Sequence, residues 1–254
     1  MTMSSNSNFI LGIIAKNILF SWICLCIDCS DNLRLPLDEK QTATILENKG
    51  YKINQNTLKP GQHIHTIEFS TKTKYEIDDL PLICKLPTLK NLSIEGIEFP
   101  YFSDDAVRSC ARSNINNFML GKVKFQNNSF CELLKQKKTP ELKLFFYYSA
   151  INKNLIDCLS ELESLTSFGL DGDLNFTDDD FCAFSKKSKN LTFLRLNYSN
   201  LGKKSLECIL NFPKLTSVML QDWKNVPMAE HFKIMDAYKK KYGRKIEKLI
   251  NDTY

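Results

Sequence analysis

The sequence has little glycine and proline, with 9 and 8 residues respectively in a chain of 254. Segments that form no packed core are typically rich in these residues or in charge. This chain is instead 43% hydrophobic and 25% charged, and no low-complexity tract interrupts it. The composition therefore excludes a disordered chain and predicts one or two globular domains, or one solenoid with its caps.

Histidine is also scarce, with only His63, His65 and His231 in the whole chain. His63 and His65 would lie on the same face of a strand, but no third metal ligand accompanies them. The sequence contains no nucleophile elbow, no Walker loop and no dinucleotide-binding fingerprint. We therefore expect a protein that is not an enzyme and that needs no cofactor or metal.

The charge balance is mild, at +5. Much of the basic excess lies near the C terminus, in Lys233, Lys239, Lys240, Lys241, Arg244, Lys245 and Lys248. This run is typical of a solvated helix face, and contact with an acidic partner or a membrane surface is the alternative. Basic and aromatic residues are not interleaved as in nucleic-acid-binding grooves, so we expect no nucleic-acid partner.

Only one long apolar run is present, at residues 9–27, and the polar pair Lys16-Asn17 interrupts it. Its polar start and small residues at the far end are typical of a secretory signal peptide, cleaved after Cys26 or near Cys29. Its length would also just span a membrane as a tilted helix. A third interpretation is a buried helix that caps a solenoid. No second run is long enough to span a bilayer, so a membrane would be contacted only through this segment.

A short apolar pattern recurs seven times, in which one apolar residue is followed three and five positions later by two more. The triplets are Ile64/Ile67/Phe69, Leu89/Leu92/Ile94, Ile115/Phe118/Leu120, Leu142/Phe145/Tyr147, Leu165/Phe168/Leu170, Leu191/Leu194/Leu196 and Leu215/Val218/Leu220. Their starts recur with a period of roughly 25 residues. A period of this length is typical of a solenoid in which each unit supplies one strand and one returning segment.

The triplets resemble the core of the leucine-rich repeat, which reads L-x-x-L-x-L-x-x-N/C-x-L. The resemblance covers about residues 60–226 and holds at the three apolar sites, but it fails at the asparagine site. That site carries Lys72, Ile97, Val123, Ala150, Asp173, Ser199 and Trp223 in turn. In the family this asparagine ties the backbone of successive turns together. We therefore expect other groups to satisfy the buried backbone here.

The resemblance implies an α/β fold: a leucine-rich-repeat solenoid, or horseshoe, of about seven repeats. Short parallel strands would line its concave face and helices its convex face. Apolar residues at helical spacing from Met228 to Ile250 predict a C-terminal helix that covers the last repeat. The predicted organisation is a signal peptide or membrane anchor at 1–30, an N-terminal cap at 31–62, leucine-rich repeats at 63–226 and a C-terminal helical cap at 227–254.

Cysteine occurs nine times, three times before residue 30 and then about once per repeat. The six later residues are Cys84, Cys110, Cys131, Cys158, Cys182 and Cys208. No CxxC spacing indicates a metal site. Six cysteines in a secreted chain would permit disulfides, but one per stacked turn favours free thiols that pack as small buried residues.

Strand residues between the buried apolar sites face outward, because side chains alternate along a strand. In the fourth and sixth repeats these positions include Phe146 and Phe193, which we expect to face each other across about 10 Å. Exposed aromatic side chains beside an arginine are typical of binding hot spots. This notch predicts a protein partner on the concave face, and the alternative is packing of the aromatics on each other or on a second copy. The candidate ligand-binding residues are Phe146, Tyr148, Asp171, Phe193, Arg195 and Tyr198.

Two classes of non-catalytic protein-binding function fit this sequence. The first is an exported or surface-held recognition or effector protein, secreted or membrane-associated, which the apolar run at 9–27 favours. The second is a cytoplasmic substrate adaptor of a ubiquitin ligase, similar to F-box proteins with leucine-rich repeats. Leu35-Pro36-Leu37 resembles the start of such a box, but few residues separate it from the first repeat.

Overall fold

The computed structural model describes residues 39–53, 66–69, 76, 79–95, 98–99, 104–125, 128–172 and 174–248. The predicted signal peptide or anchor, most of the predicted N-terminal cap, and residues His63, Ile64 and His65 lie outside the described residues. The chain divides into two compact units, residues 1–41 and 42–254. The first unit contains only three described residues, in the first turn of a helix, and every other described residue lies in the second unit.

The described residues form a mixed α/β fold, which confirms the predicted class. The strands are β1 Lys52–Ile53, β2 Thr66–Phe69, β3 Asn91–Glu95, β4 Glu98–Phe99, β5 Asn117–Gly121, β6 Lys124–Phe125, β7 Leu142–Tyr147, β8 Leu165–Asp171, β9 Phe193–Asn197, β10 Ser217–Gln221 and β11 Glu247–Lys248. The helices are α1 Glu39–Asn48, α2 Asp79–Cys84, α3 Asp104–Arg112, α4 Ser129–Gln136, α5 Lys153–Leu159, α6 Asp178–Lys187, α7 Lys203–Cys208 and α8 Met228–Tyr242, and a 3₁₀ turn, Ile209–Asn211, follows α7.

One open, mostly parallel sheet organises these elements. Its order is β1-β2-β3-β5-β7-β8-β9-β10-β11, while β4 and β6 form a separate pair. Among the described strands, only β1 runs antiparallel to its neighbour, β2. Parallel neighbours need a crossover between them, and helices α2 to α8 lie in these crossovers. Strand order in the sheet therefore follows chain order.

The predicted apolar sites explain why these segments form strands. Leu92 pairs with Phe118 across β3 and β5, and Leu194 pairs with Val218 across β9 and β10. All four side chains are buried in one continuous core. Burying each of them stabilises the fold by about 1.5–3 kcal/mol. Alternate residues of the same strands stay partly exposed, so one face of the sheet meets the helices and the other is open.

Strand β7 departs from the predicted alternation. The sequence pattern places Phe145 and Tyr147 inward, but the buried residues are Leu142, Leu144 and Phe146. Between the pairs Leu142–Leu165 and Lys143–Ser167 the pairing advances by one residue on β7 and by two on β8. The extra residue belongs to β8, and β7 alternates regularly from Leu142, so its second and third buried sites lie two and four residues later, not three and five. The expectation that Phe146 faces outward is therefore wrong. Apolar residues occupy both alternating positions of this strand, so alternation alone cannot choose between them.

Helix starts follow local capping signals. Thr177 caps α6: its hydroxyl accepts the Asp180 N–H, and the Asp180 carboxylate accepts the Thr177 N–H at 2.9 Å. Asn152 caps α5 by accepting the Leu155 N–H at 3.0 Å. Such caps satisfy backbone donors that a helix leaves free at its first turn.

Polar side chains satisfy backbone groups in the loops after the strands. Ser149 Oγ accepts the Val123 N–H at 3.0 Å and donates to the Leu120 carbonyl at 2.8 Å. The Trp223 indole N–H donates to the Leu196 carbonyl. The buried backbone of successive turns is thus satisfied by residues of several types.

The C-terminal segment is helical over only part of the predicted span. Helix α8 ends at Tyr242, because Gly243 adopts a left-handed conformation with φ of 70°. The chain then forms β11, which pairs with β10, so the expectation of a helix is wrong from Gly243 to Lys248. The last two residues of the predicted stripe lie outside the described residues. Within α8, Tyr238 is fully buried, and its hydroxyl lies 2.8 Å from the Phe212 carbonyl.

The six later cysteines form three disulfides, so the expectation of free thiols is wrong. The pairs are Cys84–Cys110, Cys131–Cys158 and Cys182–Cys208. Each pair joins two consecutive helices, with Cα atoms 4.8, 6.1 and 5.2 Å apart, which is within disulfide reach. The spacing along the chain shows one cysteine per turn, but only the packing shows that neighbouring cysteines face each other.

Lys137, after α4, is buried without a carboxylate beside it among the described residues. Its Nζ donates to the Cys110 carbonyl at 2.8 Å and to the Ser113 carbonyl at 3.1 Å. These carbonyls lie at the C-terminal end of α3, whose partial negative charge a cation neutralises. Burial lowers the pKa of Lys137 from 10.5 to about 8.

We expect Lys137→Met to change the pH dependence of stability. Between pH 8 and 10.5 the unfolded chain binds a proton at Lys137 that the native chain has released, so this residue makes stability rise with pH. From pH 7.5 to 9.5, the free energy of unfolding of the wild type should rise by about 2 kcal/mol relative to that of the variant. Urea unfolding at both pH values measures this, and an unchanged difference would contradict the lowered pKa.

Candidate functional site

The outward-facing side chains form rows across the open face of the sheet. Strand pairing aligns one row as Ser93, Met119, Phe145, Gly169, Arg195 and Met219. The next row holds Glu95, Gly121, Tyr147, Asp171, Asn197 and Gln221. The aromatic and apolar members of these rows concentrate on β5 to β10, whereas β3 contributes small polar and acidic side chains.

Phe145 and Phe193 meet above β8. Their ring centroids are 5.9 Å apart, and Gly169 lies between Phe145 and Arg195 in the strand register. A Cβ atom at Gly169 would lie 2.5 Å from Cδ1 of Phe145, so the ring closes directly over the glycine. The expectation of an open notch between Phe146 and Phe193 is therefore wrong: Phe146 is in the core, and Phe145 fills the space.

Arg195 pairs with Asp171 on this face. Its Nε lies 2.7 Å from Asp171 Oδ1, and its Nη2 also binds the carboxylate, so the contact is bidentate. The Arg195 guanidinium carbon lies 5.0 Å from the Tyr147 ring centroid. Burial alone lowers the pKa of Arg195, but its hydrogen bond and ion pair with Asp171 outweigh this, so the pKa is raised. Burial also raises the pKa of Tyr147. The guanidinium is thus charged, oriented and stacked on an aromatic ring.

Tyr148 and Tyr198 form the outer edge of the same surface. Each follows a strand and adopts a left-handed conformation, with φ of 51° and 53°. Their rings stack 6.4 Å apart over Gly172, where a Cβ atom would lie 2.9 Å from Cδ1 of Tyr148. The Tyr148 N–H donates to the Asp171 carbonyl at 2.8 Å, which holds the conformation. A left-handed backbone costs a non-glycine residue about 1–2 kcal/mol, so the fold holds both tyrosines in an unusual conformation.

These residues define what we call the aromatic surface, which consists of Phe145, Tyr147, Tyr148, Phe193, Arg195 and Tyr198. Of the six predicted site residues, four belong to this surface, and a fifth, Asp171, lies directly beneath Arg195. The sixth, Phe146, lies in the core. Sequence reasoning missed Phe145 and Tyr147. The spacing of the second apolar site indicated the correct residue. This site is Phe118 in the third repeat and Phe168 in the fifth, and Leu144 lies closer to the middle of that interval than Phe145 does.

The aromatic surface offers flat apolar area and one oriented cation. The Asp171 carboxylate beneath it is 5% exposed and engaged by Arg195. No group of three histidine, cysteine, aspartate or glutamate side chains in the described part of the chain is placed to hold a metal ion. None of the described helices has the length and apolarity that crossing a membrane requires.

The chain matches no protein-family model, and no curated protein matches it significantly.

Proposed function

We propose that this chain is a non-catalytic protein-recognition module that binds a protein partner through the aromatic surface. The observation that carries the proposal is the cluster of five exposed or half-buried aromatic rings around Arg195 on the open sheet face, with Met119 and Met219 in the same row as Arg195. Tyrosine and arginine dominate binding hot spots because they combine large apolar area with directional hydrogen bonds. In this proposal the sheet is the concave face of a leucine-rich-repeat solenoid with helices on its convex side.

The solenoid interpretation rests on the regular succession of strands. Six successive strands, β3, β5, β7, β8, β9 and β10, pair in parallel, and their registers are continuous except for one skipped residue between β7 and β8. Their second apolar sites, from Leu92 to Val218, recur at intervals of roughly 25 residues. Both features are those that the resemblance to leucine-rich repeats predicts.

Contacts within the chain hold several side chains of the aromatic surface in place. Asp171 holds the Arg195 guanidinium, and Gly169 and Gly172 let the rings above them lie close to the sheet. Ordering flexible side chains costs roughly 0.5–1.5 kcal/mol each on association, and this cost is reduced where they are already fixed. Preorganisation of this kind supports a binding role over a merely solvated sheet face.

We also propose export as the setting for this function. Disulfides persist in oxidising compartments and are rare in the cytosol, so three of them support a secreted or surface-held protein. The apolar run at 9–27 supports the same assignment. The ubiquitin-ligase adaptor remains the alternative. Sequencing the mature N terminus separates the two, because cleavage near Cys26–Ser30 is incompatible with a cytoplasmic adaptor.

We expect Tyr148→Ala/Tyr198→Ala to weaken partner binding by at least about thirtyfold, corresponding to roughly 2 kcal/mol or more. Affinity capture from the native source identifies the partner, and calorimetry with that partner measures the affinity. Phe232→Ala is the matched control, because Phe232 is 56% exposed but lies on α8, away from the aromatic surface. The proposal fails if the folded double variant binds the partner as tightly as wild type, or if the control loses as much affinity.

A further inference from the structure

A second surface, separate from the aromatic surface, lies at the C-terminal ends of three successive helices. Two adjoining cavities of about 790 and 380 Å³ open there, between the ends of α2 and α3 and the segment that follows α4. They share four lining residues, Arg108, Arg112, Ser113 and Asn114, and so form one groove. Neighbouring packed helices lie about 8–10 Å apart, so a groove across three helix ends is roughly 20 Å long.

The charged side chains that line these two cavities are all cations. A third cavity adjoins the larger one at Lys135 and Lys137 and adds Glu161 and Glu163, so the cationic part of the groove ends there. Its charged side chains are Lys85, Arg108, Arg112, Lys135, Lys137 and Lys138, and no aspartate or glutamate of the described ranges lines either cavity. Lys135 pairs with Glu161 at 3.0 Å, at the far end of the groove. In the described part of the chain, no acidic side chain lies within ion-pair distance of Arg108, Arg112 or Lys138. We name this feature the cationic groove.

Arg108 and Arg112 lie four residues apart on α3, so both project from the same side of the helix. Two like charges at this spacing destabilise a helix by a few tenths of a kcal/mol when nothing neutralises them. Both are exposed and both line the two cavities. An anion in the cationic groove would remove this repulsion and would accept the forked hydrogen bonds that guanidinium groups donate.

The floor of the cationic groove is adapted to negative charge. The C-terminal end of a helix ordinarily repels anions, because its free carbonyls carry partial negative charge. Here the carbonyls of Cys110 and Ser113, at the end of α3, accept hydrogen bonds from the buried Lys137 ammonium. Asn114 ties the same segment to the Pro87 carbonyl of the preceding loop. The repulsive helix end is therefore masked by a cation.

We propose that the cationic groove binds a linear sulfated polysaccharide. Its length and its row of separated cations fit a chain with repeated anionic groups better than a single small anion. The Cys84–Cys110 disulfide joins α2 to α3 at the groove wall and holds its two sides at fixed spacing. That disulfide also supports an oxidising, extracellular setting, where sulfated polysaccharides are the abundant polyanions. The site is independent of the protein partner proposed above.

The test uses the full chain and a heparin-derived hexasaccharide, with affinity measured by calorimetry at several salt concentrations. Arg108→Ser/Arg112→Ser should weaken binding at least tenfold and lower the magnitude of the slope of log affinity against log salt by about 2, because two fewer cations displace counterions. The matched control is Lys239→Ser/Lys240→Ser on α8, which removes the same charge from exposed positions elsewhere. The control should bind within about twofold of the wild type.

Three outcomes would overturn the proposal. The first is no hexasaccharide binding by the wild type at about 0.15 M salt, the physiological ionic strength. The second is an equal loss in the control, which would mean that binding follows net charge rather than the groove. The third is tighter binding of inorganic tripolyphosphate than of the hexasaccharide, which would identify a compact phosphate ligand instead. All four arginine and lysine sites are exposed, and circular dichroism verifies that each variant is folded.

Discussion

Reduction of the three disulfides should lower the free energy of unfolding by roughly 10 kcal/mol and leave the chain largely unfolded at physiological temperature. Each bridge closes a loop with a sequence separation of 26, 27 or 26 residues. In the chain-entropy account, a loop of this size contributes about 3.5 kcal/mol by restricting the unfolded chain. The three loops do not overlap along the chain, so their contributions should be approximately additive. Domains are typically stable by only about 5–15 kcal/mol, so this loss is decisive.

Urea unfolding with and without a phosphine reductant measures the combined effect. Three paired variants separate it: Cys84→Ala/Cys110→Ala, Cys131→Ala/Cys158→Ala and Cys182→Ala/Cys208→Ala should each lose about 3 kcal/mol. Alkylation of the unreduced, denatured protein followed by peptide mass mapping provides the control, since none of these six cysteines should be modified. Full alkylation together with an unchanged unfolding midpoint on reduction would show that the thiols are free and that the helix pairs need no bridge.

Replacing Phe146 by alanine should cost about 3–5 kcal/mol of stability, the range observed for large aromatic side chains in packed cores. Phe146 is 1% exposed, and its ring lies 6.2 Å from Phe168 and 6.5 Å from Phe130, measured between centroids. Removing it leaves a cavity that these rings cannot fill without moving. The effect should appear as a lower urea midpoint with an unchanged denaturant slope.

The adjacent residue is the matched control for this change. Phe145→Ala removes the same side chain from the opposite face of β7, where the ring is half-buried against Phe193, so we expect a loss of about 1 kcal/mol. Phe145→Ala should instead weaken partner binding. If Phe145→Ala were the more destabilising of the two, Phe145 rather than Phe146 would lie in the core, as the three-and-five spacing predicts.

Part of the candidate site could be predicted from strand spacing alone. Asp171 and Arg195 come from neighbouring strands, so their pairing follows from a separation of about 4.8 Å between strands. Tyr148 and Tyr198 follow their strands directly, which places them on one edge. The sequence misplaced the aromatic centre of the site because Phe145 and Phe146 are adjacent and identical. The alternation that β7 adopts decides which one lies on the open face.

Sequence alone determined the α/β class and the succession of strands. Those features depend on the apolar pattern of each strand and on its recurrence, which are properties of the chain read in order. Tertiary structure decided the register of β7, the pairing of the cysteines and the meeting of Arg108, Arg112 and Lys137 in one groove. Each of these depends on which side chains face each other through space after the crossovers return, and a local pattern carries no information on that geometry.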